Sequence, residues 1–290
     1  MSMNVELAYA SHDILGEGPV WSGKEQALYW IDIKNHLIQR WDPVTGTHKA
    51  WTVPAEIGCF SLREQGGAIM ALQNGLWFFD FEAESAQHIS DPEAHLPRTR
   101  FNDGKCDRKG RFWTGTMDND ETDFSMGSLY RVDSELRVSH IRGDVGISNG
   151  LGWSPDNKTM YYADSPAKCI YAYDFDFDSG NPTNERVLVT VDKGVPDGLT
   201  VDSEGYIWNC QWDAWRVVRY APDGSVDLIL DVPAQRPTSC MFGGPDLRDL
   251  YITSASINLT DKEKESQPHA GCIFRARTDV AGIPEPLFAG

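Results

Sequence analysis

Six stretches of this chain open in the same way, and their spacing limits the fold more than any other feature. Four are clear: "LGEGPVWSGKEQALYWID", "RFNDGKCDRKGRFWTGTMD", "ISNGLGWSPDNKTMYYADS" and "VPDGLTVDSEGYIW". Two are weaker, "IGCFSLREQGGAIMALQNGLWFFDF" and "TSCMFGGPDLRDLYITSAS". Each runs through a short apolar strand, a polar turn and a second strand rich in aromatic or β-branched residues. The leading positions are Glu17, Ile57, Asp103, Asn149, Asp197 and Ser239, with successive spacings of 40, 46, 46, 48 and 42 residues.

Periods of about 40 to 50 residues built from short strands and turns are the mark of propeller blades, about four strands to each. The spacing therefore predicts an all-β fold, a six-bladed β-propeller with four antiparallel strands per blade, spanning residues 1–290 as one domain. No long run carries apolar residues at helical spacing, and Pro and Gly interrupt every candidate, which argues against an α/β reading. The ring is expected to close by pairing Val5–Tyr9 with the last blade, near Cys272–Phe274 and Pro286–Phe288.

The innermost strand of a blade lines the central channel, so equivalent residues at its start converge on one mouth. Glu17, Asp103, Asn149 and Asp197, remote in sequence, are thereby brought together. A turn explains a polar residue at each place but does not require carboxylates, and like charges held close repel. Either these residues form a hydrogen-bonded turn set or a cation relieves the repulsion. Oxygen donors suit Ca²⁺, Mg²⁺ or Mn²⁺, and a mixed carboxylate and amide site also admits Zn²⁺ or Fe²⁺.

Composition excludes several classes. A formal charge of −17 with no basic cluster argues against nucleic acid. The opening "MSMNVELAYASHDILGEG" lacks a basic and apolar leader, and no stretch approaches the ~18 apolar residues of a membrane helix. The expectation is a cytoplasmic protein with no membrane association. The six cysteines, spread without a CxxC pair, are expected to be reduced, mostly buried thiols.

The motifs "GEGPVW", "RFNDGKCD", "GTM", "SNGLGWSPD", "YYADS", "PDGLTVDSEGYIW" and "TSCMFGG" together resemble the family of senescence marker protein, regucalcin and gluconolactonase. The match runs in order from about Leu15 to Gly290. The resemblance implies one divalent metal ion at the channel mouth and hydrolysis of a small sugar lactone to its aldonic acid, with no obligate protein partner inferred. Carried over by motif, Glu17, Asn149 and Asp197 are the implied metal ligands. Arg100 and Asn102 are the implied substrate contacts, with Asp103 close behind. The family often places a Glu after GTM; this chain reads "MDNDETD", so Asp120 or Glu121 is the candidate for that contact. Asp197 is also the candidate general base, since a carboxylate at the metal edge can bind through one oxygen and accept a proton through the other. The resemblance equally permits a calcium-binding regulator without turnover, and similar metal chemistry serves hydrolases of other esters or phosphotriesters.

Two motifs imitate other chemistry. "GISNG" matches the nucleophile-elbow pattern around Ser148, but a strand rather than a helix is expected after it. "DFDFDSGNPTNE" imitates a calcium loop with its Gly one position late and no flanking helices, so an outer strand with alternating Phe and Asp is expected. Trp212 and Trp215 are candidates to wall the pocket.

Overall fold

In the computed structural model, which describes residues 3–290, six four-stranded antiparallel sheets are arranged around one channel. Blade one comprises Gly16–Ser22, Ala27–Asp32, Leu37–Trp41 and His48–Thr52. The inner strands of the next four blades are Ile57–Leu62, Thr99–Cys106, Ser148–Trp153 and Val195–Val201. Blade six joins Pro237–Gly243, Asp249–Ser254 and Ile273–Arg277 to the N-terminal strand Val5–Tyr9. Among the described residues the one helix is Asp261–Ser266, held by a capping box between Thr260 and Glu263.

Ring closure follows the expected pairing in part. Val5 lies opposite Ala276 and Tyr9 opposite Ile273 in an antiparallel ladder. The expected contribution of Pro286–Phe288 to that ladder is not found, because this segment crosses elsewhere. Phe288 donates its N–H to the Leu62 carbonyl at 2.8 Å and accepts from Glu64 N at 3.0 Å, while Ala289 N donates to Gly110 at 3.0 Å. Pro284 and Pro286 have no N–H for a sheet ladder. The tail therefore ties blades two and three at the turns joining their first and second strands, and the fully buried Phe288 ring fills the space between them.

The core is divided into six apolar layers, one between each pair of neighbouring blades. Tyr29 and Ile31 meet Phe60 and Met70; Ile69 meets Phe101 and Phe112; Trp113 and Leu129 meet Trp153 and Tyr162. Tyr161 meets Leu199 and Ile207; Trp208 meets Phe242 and Leu250; Tyr251 and Met241 return to Trp21 and Trp30. A second strand is covered on both faces, which is why Ala27–Asp32 is buried at every residue and reads as a continuous apolar run.

In blades three and five the turn after the inner strand is fixed by a buried carboxylate. Asp202 accepts the indole N–H of Trp208 at 2.9 Å and two backbone N–H groups at 3.0 Å, and Gly205 turns the chain at a φ of +90°. Asp107 does the same for Trp113 at 2.8 Å. The D-x-x-G-x-x-W spacing shared by the two stretches is thus structural, and these carboxylates have no part in the site. "DFDFDSG" supplies the end of the strand Cys169–Asp176 and a hairpin turn capped by Asp176, as an outer-strand reading requires.

Candidate active site

Every inner strand carries a register irregularity at its leading position: Glu17/Val20, Ile57/Cys59, Phe101/Gly104, Asn149/Leu151, Pro196/Leu199 and Pro237/Cys240. A bulge leaves a residue out of the ladder and re-aims its side chain. Asp197 is left out of its ladder in this way, while Glu17 and Asn149 are the last paired residues before their bulges, opposite Ile31 and Ala163. The following glycines serve packing: a Cβ on Gly150 would stand 2.7 Å from the Asp197 carbonyl, and one on Gly198 would stand 2.1 Å from the Ser239 hydroxyl. The Asn-Gly and Asp-Gly pairs are needed because inner strands crowd near the axis, whereas Gly18 of the Glu-Gly pair is favoured by its φ of +51°.

Glu17, Asn149, Asp197, Arg100 and Asn102 all line one cavity of about 280 Å³, and each is more than nine-tenths buried. Met117, Ile147 and Trp212 supply apolar wall; Lys34, Asn119, Glu121, Ser165 and Arg236 add polar groups. Asp103 is not in the lining. Its carboxylate accepts from Gly104 N at 2.7 Å and acts electrostatically on Glu17 and Asp197.

Of the two acids left open by the sequence, Glu121 lines the cavity, and its backbone φ of 53° turns the chain there. Asp120 is not in the lining; its carboxylate lies 3.7 Å from Arg98 Nε, and both acids are exposed. Trp215 is also absent from the lining. Ser148 is fully buried in a strand with its hydroxyl unpartnered, so no attacking position is available to it.

The polar groups are ordered by a hydrogen-bond chain. Arg100 Nη1 donates to the Phe101 carbonyl and to Asn102 Oδ1, both at 2.9 Å. Asn102 Nδ2 donates to the Ser148 carbonyl at 2.9 Å and to Asn149 Oδ1 at 3.2 Å. Asn149 Nδ2 donates to Ser165 Oγ at 2.8 Å. Arg100 Nε is buried without a hydrogen-bond partner, 3.8 Å from Glu56 Oε2.

Charge at the mouth is unbalanced. Burial, and then the charges of Asp197 and Asp103, hold the Glu17 carboxyl well above its ordinary range. Burial and Asp103 do the same to Asp197. Burial lifts Asp103 to about 6 against the opposing pull of Lys105. Among the described residues no three His, Cys, Asp or Glu side chains form a metal-binding group. The donor set is two carboxylates and the amide oxygen of Asn149, all oxygen, buried and mutually repelling. This chemistry fits a hard divalent cation, which would offset the repulsion that burial magnifies.

Lys34, Asn119, Ser165, Trp212 and Asn258 were not singled out as a set from the sequence, although they share a topological place. Trp212 ends the second strand of its blade and the other four follow theirs. Antiparallel strands return that connection to the same end as the start of the first, so these loops ring the mouth.

A β-propeller with oxygen donors and sugar-suited polar groups at one channel mouth defines a class, and comparison places the chain within it. Residues 15–256 match the SMP-30/Gluconolactonase/LRE-like region, and the chain belongs to that family. It is 41% identical to a 6-deoxy-6-sulfogluconolactonase of Pseudomonas putida over the whole of both chains. Identity to regucalcin of Xenopus laevis is 36%, over 100% of this chain and 99% of the relative. The crystal structure of a calcium-binding protein, regucalcin, from Agrobacterium tumefaciens superposes with a TM-score of 0.94 at 28% identity, covering 99% of this chain and 98% of that one.

Proposed function

We propose that the protein is a metal-dependent sugar lactonase that hydrolyses an aldonolactone to its aldonic acid. The observation that carries this reading is the convergence of Glu17, Asn149 and Asp197 with Arg100 and Asn102 in one buried cavity. The name of the Pseudomonas putida relative supports the same chemistry.

Glu17, Asn149 and Asp197 would hold one divalent cation, which when bound supplies Lewis-acid polarisation of the lactone carbonyl and acidifies water. Arg100 presents a planar set of donors to ring oxygens, and Asn102 is fixed by Arg100 and Asn149 in a single orientation. Met117, Ile147 and Trp212 cover the apolar face of the ring and exclude bulk water. Asp197 accepts the proton of the attacking water. Once protonated, the same carboxyl donates that proton to the leaving alkoxide, so the group ends the cycle as it began.

The test is acid release from gluconolactone, galactonolactone, xylonolactone and arabinonolactone, corrected for spontaneous opening, before and after chelation and metal restoration. Turnover abolished by chelation and restored by one metal is the expected result. Cation binding without turnover of any lactone would favour a calcium-binding regulator, in keeping with the regucalcin relatives.

A further inference from the structure

A neutral polyhydroxylated ring calls for hydroxyl-sized donors and acceptors, yet three full positive charges line this cavity: Lys34, Arg100 and Arg236. They stand in a chain whose net charge is −17. They also form an arc. Arg236 precedes the inner strand of blade six, Lys34 follows the second strand of blade one, and Glu56 links Lys34, at 2.7 Å, to Arg100, at 3.8 Å. Blades six and one adjoin through the bridge between Leu15 and Ala255.

Arg236 is held rigidly from behind. Its Nε donates to Asp213 at 2.7 Å, Nη1 donates to the Ile257 carbonyl, and the guanidinium lies 5.0 Å from the centre of the Trp212 ring. Its Nη2 makes no hydrogen bond among the described residues. Arg100 Nε is buried and makes no hydrogen bond, with Glu56 Oε2 3.8 Å away. Outside the lining, Glu56 faces both Lys34 and Arg100, and Asp213 faces Arg236. Among the acids of the lining, Glu17 and Asp197 are committed as metal donors, which leaves Glu121 against three cations. Fixed guanidinium N–H groups with spare donors match the oxygens of an oxyanion better than lone hydroxyls.

We propose that the substrate lactone carries an anionic substituent, an oxyanion of the sulfonate, phosphate or carboxylate kind, away from its carbonyl, received by the arc of Arg236, Lys34 and Arg100. The assignment rests on the lactonase reading and narrows its substrate class. Long-range repulsion by the net charge is screened over ~8 Å at physiological salt, so the nearby cations govern binding.

The experiment compares kcat/KM for gluconolactone, 6-phosphogluconolactone, 6-deoxy-6-sulfogluconolactone and glucarolactone with the metal-loaded enzyme. Calorimetric binding of the corresponding aldonates gives a readout independent of turnover. At least one anionic lactone is expected to exceed gluconolactone by about tenfold, with its aldonate bound more tightly than gluconate; which one leads identifies the oxyanion. Arg236→Gln and Lys34→Gln are each expected to lower the anionic-to-neutral ratio about fivefold or more. Melting curves show whether each variant is folded, and the wild-type panel stands without them. Turnover of gluconolactone equal to or faster than every anionic lactone overturns this inference and leaves the lactonase reading intact. Absence of turnover with every lactone and every metal overturns both.

Discussion

Asn149 donates from Nδ2 to the Ser165 hydroxyl at 2.8 Å, and Ser165 in turn donates its only proton to the Pro196 carbonyl at 2.6 Å. The hydroxyl can therefore only accept from Asn149, which fixes the amide with its oxygen turned the other way, toward Asn102. Three blades meet in this chain of contacts. The orientation of a proposed metal donor is set by a residue that touches no metal itself.

Ser165→Ala removes that constraint while leaving every proposed ligand in place. Divalent-cation affinity, measured by calorimetry on the chelated protein, is expected to fall about tenfold, the usual loss when an orienting partner is removed. An unchanged affinity would show that the amide is held without Ser165.

Asp197→Asn keeps the shape of the side chain and deletes its capacity to accept a proton. At saturating metal, kcat for the preferred lactone is expected to fall by about 10² or more, with KM moving only a few-fold. Equal loss in both variants when Asp197→Asn is compared with Glu17→Gln would assign Asp197 a purely ligating role.

Glu121→Ala is expected to raise KM about tenfold, because Glu121 lines the cavity where hydroxyls bind. Asp120→Ala shifts KM less, since that carboxylate faces Arg98 and solvent. Steady-state kinetics on the two variants decides between the adjacent acids.

Stability of the metal-free protein should pass through a maximum near pH 4. Asp118 and Asp133, hydrogen-bonded by backbone N–H groups and arginines, ionise below their ordinary range, so stability rises as pH climbs to about 4. Asp13 and Asp103 behave oppositely, lifted mainly by burial to about 7 and about 6. The folded state holds their protons above the unfolded pKa, so their contribution is full below about pH 4 and is lost as pH rises to about 7. Urea midpoints across this range check the shape. A bound divalent cation should flatten the limb due to Glu17 and Asp197 and leave that of Asp13.

The six-fold spacing was legible because blades of one size must place equivalent residues at equal intervals, and the converging Glu17, Asn149 and Asp197 follow from it directly. The bulges that aim these side chains left no mark beyond the glycines, since Gly also suits an ordinary turn. Asp120 and Glu121 could not be separated, because they are adjacent exposed acids of one loop and only the fold shows which of them borders the cavity. Nothing in the sequence marks Lys34 and Arg236, since most Lys and Arg are solvated surface charges; only the loops that share one end of the ring bring them to the cavity. The tail was misread for a similar reason: Pro286–Phe288 had the apolar character of a strand, but its prolines suited lacing across turns.

The pairing of Val5–Tyr9 with Ile273–Arg277 also sets an order of events during synthesis. The first strand to leave the ribosome waits for the last, so blade six cannot be completed until nearly the whole chain has emerged. Until then the ring is an open arc, and the inner strand of blade one lacks its neighbour in blade six. Glu17, carried on that strand, can meet Asn149 and Asp197 in their final places only once the circle shuts. The proposed capacity to bind a cation would therefore be a late acquisition of the nascent chain, and a report on whether closure has occurred.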